Sequence, residues 1–135
     1  MAYNILIVDD SATVRSMVRK TLRLAGVDTG EVFEAPNGRA ALETLQQQWV
    51  DLVVTDLNMP EMTGLELVEQ MHDHPDLKHL PVVVISAEGN RARQEQLTAR
   101  PGTTFVRKPF TPELVREAIE YVLEPPSCVS SESTN

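Results

Sequence analysis

Charged or hydroxyl side chains stand where four of the five short apolar segments of this sequence end. They are Asp9 and Asp10 after "ILIV", Asp56 after "DLVVT", Ser86 at the end of "PVVVIS" (followed by Ala87), and Lys108 after "TTFV". Like charges held close together disfavour ionisation, and a hard divalent cation with oxygen ligands relieves that repulsion. The three carboxylates therefore predict a Mg²⁺ site, with Mn²⁺ as an alternative. An ammonium and a hydroxyl beside it would neutralise the oxygens of a phosphoryl group.

A phosphoryl group at such a site does not belong to a bound nucleotide, because no "GxxxxGK[ST]" loop occurs in the sequence. The simplest remaining chemistry makes one carboxylate a nucleophile that takes the phosphoryl group as an acyl phosphate. Asp56, at the end of the central apolar segment, is best placed for this. Taken alone, Asp56 reads as a turn residue, Ser86 as a strand-end hydroxyl and Lys108 as a solvated lysine. Only their convergence favours a site.

The elements that must position these residues alternate between strand and helix. Strands are predicted at 5–8, 31–35, 51–55, 81–86 and 103–106. Apolar residues run continuously through most of them, which is typical of strands buried on both faces of a parallel sheet, whereas 31–35 alternates and suits an edge. Five β-α units predict an α/β fold, a doubly wound three-layer sandwich. Ligands of such folds bind beyond the carboxyl ends of the strands.

Helical periodicity predicts five helices between and after the strands. Ser11 caps the first, which Gly26 ends; the fourth, within 89–100, is polar; Thr111 caps the last. The residues predicted to face the core are Val14, Met17, Val18 and Leu22, then Ala40, Ala41, Leu45 and Trp49, then Leu65, Val68 and either Met71 or His72, and finally Leu114, Val115, Ala118, Ile119 and Val122.

The chain has 135 residues and a formal net charge of −8, from 12 Lys and Arg against 20 Asp and Glu. We expect one domain at 1–123, followed at 124–135 by a disordered Ser-rich tail or the start of a linker. The acidic balance argues against binding of nucleic acid or of an anionic membrane. Basic residues at helical spacing are predicted to form a solvated face: Arg15, Arg19, Lys20 and Arg23. With no leader or bilayer-spanning segment recognised, the chain is expected in the cytoplasm.

Taken together, the motifs resemble a response-regulator receiver domain of two-component signalling, most closely the single-domain, CheY-like chemotaxis type. The motifs are the Asp9-Asp10 pair, "DLNMP" from Asp56, the Ser86-Ala87 pair and "KPF" from Lys108. The resemblance covers residues 3–123 in order and spacing. It implies a flavodoxin-like five-stranded sheet of order 2-1-3-4-5 with five helices.

The resemblance also implies roles for individual residues. Asp56 would accept a phosphoryl group from a sensor histidine kinase or a phosphotransfer protein. Asp10, Asp56 and the backbone carbonyl of Asn58 would bind Mg²⁺, with Asp9 assisting. The phosphoryl oxygens would contact Lys108, Ser86, Asn58 and Ala87. Ser86 and Phe105 would then switch the surface formed by the fourth helix, the fifth strand and the fifth helix.

That surface would bind a downstream protein, and the chain is expected to be a monomer or a dimer through the same surface. The protein is expected to be a switch that catalyses only its own phosphorylation and dephosphorylation. One alternative is a Mg²⁺-dependent phosphohydrolase with an aspartyl nucleophile. Asn58 argues against it, since an acid is generally needed two positions after the nucleophile. The other is a pseudo-receiver scaffold that is not phosphorylated, against which the intact set of site residues argues.

Overall fold

The computed structural model describes residues 2–57, 59, 62–86, 95 and 102–123. The strands are β1 Tyr3–Val8, β2 Thr29–Ala35, β3 Leu52–Asp56, β4 Val82–Ser86 and β5 Thr103–Arg107. They form one parallel sheet of order β2-β1-β3-β4-β5, so the predicted order is confirmed. β2 is an edge strand, as its alternating sequence predicts.

The helices of the described residues are α1 Ala12–Leu24, α2 Gly38–Gln47, α3 Gly64–His72 and a C-terminal helix, Pro112–Leu123. Each begins where a side-chain oxygen accepts a backbone N–H of the first turn, which would otherwise lack a partner. The capping residues are Ser11, Asn37, Thr63 and Thr111. The predicted fourth helix, within 89–100, falls outside the described residues except for Glu95.

The sheet separates two apolar cores, since successive strand residues point to opposite faces. On one face Leu6, Val8 and Val53 pack with α2 and α3. On the other face Ile5, Ile7 and Val54 pack with α1 and the C-terminal helix. Helices on both faces confirm the predicted three-layer sandwich. The buried strands give the sheet a fixed carboxyl edge, at which Asp9 follows β1 and Lys108 follows β5.

Three predicted core residues lie at the surface instead. The exposed fractions are 54% for Met17, 45% for Leu114 and 78% for Trp49. Met17 and Leu114 directly precede the buried Val18 and Val115, and a step of about 100° per residue turns each away from the sheet. Trp49 is exposed because α2 ends at Gln47, before the helical phase could carry it inward. Met71 is buried, as predicted; Leu67 is also buried, although it was not among the predicted core residues.

Gly26 adopts a φ of 79° just after α1 ends, as its predicted role requires. None of the helices in the described part of the chain combines the length and the apolar character needed to cross a bilayer. The division into a domain at 1–123 and a tail at 124–135 stays a prediction, since residues 124–135 lie outside the described ranges. The expected cytoplasmic location also stays a prediction.

Candidate functional site

The register of the two central strands brings the aspartates together. Val8 pairs with Thr55 across β1 and β3, so Asp9 and Asp56, the next residue of each chain segment, are neighbours. The last four residues of β1 and the first four of β3 are buried, so both strands hold the aspartates firmly at their carboxyl ends. Residues at matching positions of adjacent parallel strands lie about 5 Å apart, so their side chains lie next to each other.

Asp9, Asp10 and Asp56 each offer one carboxylate oxygen, and these oxygens all lie within 4.8 Å of one another. Asp9 is 4% exposed, the Asp56 side chain is 11% exposed, and Asp10 is open to solvent. Oxygen donors with one side open to water suit Mg²⁺, which keeps several waters and takes only one or two carboxylates directly. The donor set therefore fits the predicted cation.

The pKa of the Asp9 carboxyl is raised in this arrangement. Burial raises the pKa of the Asp9 carboxyl, and the neighbouring Asp56 charge raises it further. Two groups act in the opposite direction and lower that pKa. The backbone N–H of Ser11 donates to Asp9 Oδ1 at 2.9 Å, and the positive charge of Lys108 lies nearby. Burial prevails, so the pKa of the Asp9 carboxyl lies above its ordinary value.

Lys108 supplies positive charge from the far side of the site. Its Nζ lies 3.7 Å from Asp56 Oδ1, and the Lys108 side chain is 28% exposed. Lys108 follows β5, which pairs with β4 through Ser86 and Arg107, so the lysine reaches across the end of β4 to Asp56. A lysine ammonium is a compact charge with three donors, able to hold one of several oxygens in turn.

The chain after Asp56 is held against the start of α3. Leu57 is fully buried and its carbonyl accepts the Gly64 N–H at 2.7 Å. Met59 is also buried. Met62 packs so closely on Gly38, the first residue of α2, that a β-carbon on Gly38 would overlap its sulphur. These contacts fix both ends of the loop that follows Asp56.

The remaining predicted site residues divide between the described and undescribed parts of the chain. Ser86 is the last residue of β4, at the same edge of the sheet as Asp56. Phe105 lies in β5, half-buried, and packs against the core on the α2 and α3 face. Asn58 and Ala87 fall outside the described residues. The roles assigned to all of these residues stay predictions.

Arg15 contributes to the site in a way that its sequence did not predict. Its helical spacing with other basic residues predicted a solvated face, yet the Arg15 side chain is only 15% exposed. Its Nη1 donates to the carbonyl of Asp9 at 2.6 Å and its Nε donates to Glu34 Oε1 at 2.9 Å. Glu34 belongs to β2 and lies 19 positions after Arg15 in the sequence, so no local pattern links the two.

Comparison with known proteins agrees with this geometry. Residues 5–120 match the family model described as the response regulator receiver domain. The chain is 38% identical over 122 residues to the chemotaxis protein CheY1 of Helicobacter pylori, with 88% of this chain and 95% of that protein covered. It is also 38% identical over 120 residues to the chemotaxis protein CheY of Pseudomonas aeruginosa, covering 89% and 95%.

A solved structure gives the same result for the fold. The chemotaxis protein CheY4 of Vibrio cholerae, crystallised at low pH, superposes with a TM-score of 0.78 at 34% identity, covering 90% of this chain and 99% of that one. The resemblance identified from the motifs is thus confirmed. The chain belongs to the response-regulator receiver family and is homologous to the CheY response regulators.

Proposed function

We propose that Asp56 is the phospho-acceptor of this receiver and that Asp9, Asp10 and Asp56 hold the Mg²⁺ ion that the reaction uses. The observation that carries the proposal is the placement of three carboxylates within 4.8 Å of one another with a lysine ammonium 3.7 Å from Asp56. Fixed cationic and metal groups around one carboxylate are what phosphoryl transfer to it requires.

In the proposed reaction an Asp56 oxygen attacks the phosphorus of a phosphohistidine or a small acyl phosphate. The new P–O bond forms as the bond from phosphorus to the donor breaks, and the donor leaves with that electron pair. When bound, Mg²⁺ neutralises charge on the phosphoryl oxygens and on the carboxylates. Burial of β3 keeps the Asp56 backbone in place, so the carboxylate has little freedom to lose in the transition state.

Lys108 is proposed to exchange its partner during the transfer. In the free protein its ammonium balances Asp56, and in the phosphorylated protein it would donate to a phosphoryl oxygen. Ser86 would donate its hydroxyl to another oxygen, and the backbone groups of Asn58 and Ala87 would complete the contacts. These assignments rest on the match between this sequence and the family motifs, and for Ser86 on its position at the same edge of the sheet.

We further propose that movement of Ser86 and inward rotation of Phe105 convey phosphorylation to a protein-binding surface that includes β5 and the C-terminal helix. Phe105 is half-buried, so it has room to become more buried. Receivers of this kind interact with histidine kinases and downstream targets. For this chain we propose a sensor kinase or phosphotransfer protein as donor and, as its relatives' names suggest, a chemotaxis target. It would act as a switch, without turnover of an external substrate.

The test uses the purified protein, Mg²⁺ and acetyl phosphate, read by intact mass. The wild-type protein should gain the mass of one phosphoryl group, and the gain should vanish with EDTA. Asp56→Asn should gain nothing, whereas Asp76→Asn, an exposed aspartate after α3, should behave as wild type. Unchanged phosphorylation of Asp56→Asn would overturn the assignment. Steady hydrolysis of phosphomonoesters would instead support the hydrolase that the sequence left as an alternative.

A further inference from the structure

Arg15 connects the first strand's carboxyl end to the edge strand. Its guanidinium donates from Nη1 to the carbonyl oxygen of Asp9 at 2.6 Å and from Nε to Glu34 Oε1 at 2.9 Å. The Arg15 side chain is 15% exposed, so these bonds face little competition from water. A planar guanidinium that has two partners is fixed in orientation, and it therefore restricts the orientation of the groups that accept its hydrogen bonds.

The carbonyl that Arg15 holds belongs to the peptide group between Asp9 and Asp10. The rest of Asp9 is also fixed, because its N–H donates to Ala35 at 3.1 Å and its Oδ1 accepts from Ser11 at 2.9 Å. A peptide group is planar, so the direction of its carbonyl sets the direction in which the next residue continues. The bond from Arg15 therefore constrains how Asp10, an exposed residue, is presented beside Asp9 and Asp56.

Glu34 holds the guanidinium in place. One oxygen of Glu34 accepts from Arg15, and the other accepts from Arg19 Nε at 3.2 Å. These two arginines hold the pKa of the Glu34 carboxyl below its ordinary value. Arg19 Nη2 lies 3.0 Å from the same Glu34 oxygen and donates to the carbonyl of Val32 at 3.3 Å, whereas the second partner of Arg15 is Asp9.

We propose that Arg15 is a positioning residue for the divalent-cation site and that Glu34 orients it. Arg15 would raise Mg²⁺ affinity by holding the Asp9-Asp10 peptide group so that both carboxylates face Asp56. This inference rests on the proposed Mg²⁺ site. It adds to that site two residues that bind neither the cation nor the phosphoryl group.

Electrostatics and positioning predict opposite signs for the loss of Arg15. A positive charge near a cation site repels the cation, so charge alone predicts tighter Mg²⁺ binding when Arg15 is neutralised. Positioning predicts weaker binding, because the Asp9-Asp10 peptide group gains freedom that binding must then remove. The sign of the change therefore separates the two roles.

The experiment compares Arg15→Gln with Arg19→Gln by calorimetric titration of the full chain with Mg²⁺. Both variants lose one positive charge and the contact with Glu34, but Arg15→Gln also loses the bond to Asp9, whereas Arg19→Gln loses the bond to Val32. We expect Arg15→Gln to bind Mg²⁺ about tenfold more weakly, as at the low end of losses from residues outside the ligand set. Arg19→Gln should bind Mg²⁺ as tightly as the wild-type protein, or slightly more tightly.

A second readout separates positioning from a general loss of structure. Phosphorylation of Arg15→Gln by acetyl phosphate should require more Mg²⁺ for half-maximal rate, while its rate at saturating Mg²⁺ should approach that of the wild-type protein. A variant that was merely damaged would stay slow at every concentration. If Arg15→Gln does not fold, Arg15→Lys, which keeps the charge but not the fork of donors, should show the same weaker Mg²⁺ binding.

Equal or tighter Mg²⁺ binding by the folded Arg15 variant would overturn the inference, and so would an equal loss in Arg19→Gln. A wild-type protein that bound no Mg²⁺ would instead overturn the proposed function on which the inference rests. The two failures are thus distinguishable within one set of titrations.

Discussion

The backbone of Gly64 lies so close to that of Asp56 that a β-carbon on Gly64 would stand 2.5 Å from the Asp56 carbonyl oxygen and 2.9 Å from the Leu57 α-carbon. Both neighbours are backbone atoms, which cannot turn aside as a flexible side chain can. Gly64 thus lets the first turn of α3 approach the end of β3. The position of the proposed phospho-acceptor depends on that approach.

Gly64→Ala should therefore displace the end of β3. We expect a loss of about 1–3 kcal/mol in the free energy of unfolding, as for other overpacked sites. We also expect phosphorylation by acetyl phosphate to slow roughly ten- to a hundredfold, because small misplacements of a reacting group are costly. Urea unfolding and the rate of mass gain measure the two effects.

Gly26→Ala is the matched control for this prediction. Gly26 has a φ of 79°, and apart from its two neighbours in the chain no heavy atom lies within 4 Å of the place where a β-carbon would stand, so alanine there strains only the local backbone, far from the site. It should cost about 1–2 kcal/mol of stability and leave the phosphorylation rate unchanged. A wild-type rate in Gly64→Ala would contradict the role given to the glycine.

Asp9→Asn should stabilise the metal-free protein while weakening its cation site. Asp9 is almost fully buried beside Asp10 and Asp56, and asparagine can still accept the Ser11 N–H without adding charge. We expect the free energy of unfolding without metal to rise by about 1–2 kcal/mol, because a buried like charge is removed. Mg²⁺ affinity should fall about tenfold or more, as a member of the ligand cluster is neutralised.

Chemical denaturation with and without Mg²⁺ measures both parts of the Asp9→Asn prediction. Asp76→Asn, at an exposed position, should change neither quantity. A drop in the metal-free stability of Asp9→Asn would show that the carboxylate's hydrogen bond matters more than its repulsion from the neighbouring aspartates.

Lys108→Met should bind Mg²⁺ more tightly than the wild-type protein. The ammonium lies 3.7 Å from Asp56 Oδ1 and competes with the cation for the same carboxylate. We expect an increase of about fivefold or less, because a partly exposed ion pair contributes at most ~1 kcal/mol. The increase should shrink at high salt, which screens the charges.

Phosphorylation of the same Lys108→Met variant should nevertheless be slower, because no ammonium remains to hold a phosphoryl oxygen. Calorimetric titration and the rate of mass gain at saturating Mg²⁺ give the two values. Weaker Mg²⁺ binding by Lys108→Met would be inconsistent with the competition between lysine and cation.

The Glu34 carboxyl should contribute stability that depends on pH in acid. Its folded-state pKa is lowered, chiefly by the hydrogen bond from Arg15, relative to an ordinary value of 4.5. A lowered pKa gives stability that is fully present above the unfolded-state pKa and is lost as the pH falls through the folded-state pKa. The side chain is 32% exposed, so we expect ~1 kcal/mol or less.

Glu34→Gln removes this contribution. The difference in unfolding free energy between wild type and Glu34→Gln should be constant above about pH 5.5 and should shrink as the pH falls below 4.5. Urea unfolding across this range measures it. A difference that grows on acidification would contradict the lowered pKa of Glu34.

Much of the fold could be predicted because the buried faces of strands and helices require apolar residues at regular spacing in the sequence. Continuous β-branched segments predicted the parallel strands, and the caps at Ser11 and Thr111 predicted two helix starts. The failures were at the rims of helices, where one residue's rotation separates core from surface. Met17 and Leu114 show this, and Trp49 shows the effect of a helix that ends two residues earlier than its apolar pattern suggests.

The sequence by itself determined which charged side chains gather at the site, because residues that follow parallel strands must lie at one edge of the sheet. Asp9, Asp56 and Lys108 meet there as predicted. Only the tertiary structure decided that Arg15 turns inward to Asp9 and Glu34, and that Gly64 must lack a side chain beside Asp56. Such contacts join elements distant in sequence, and they depend on how α1 and α3 pack on the strands, which no local pattern records.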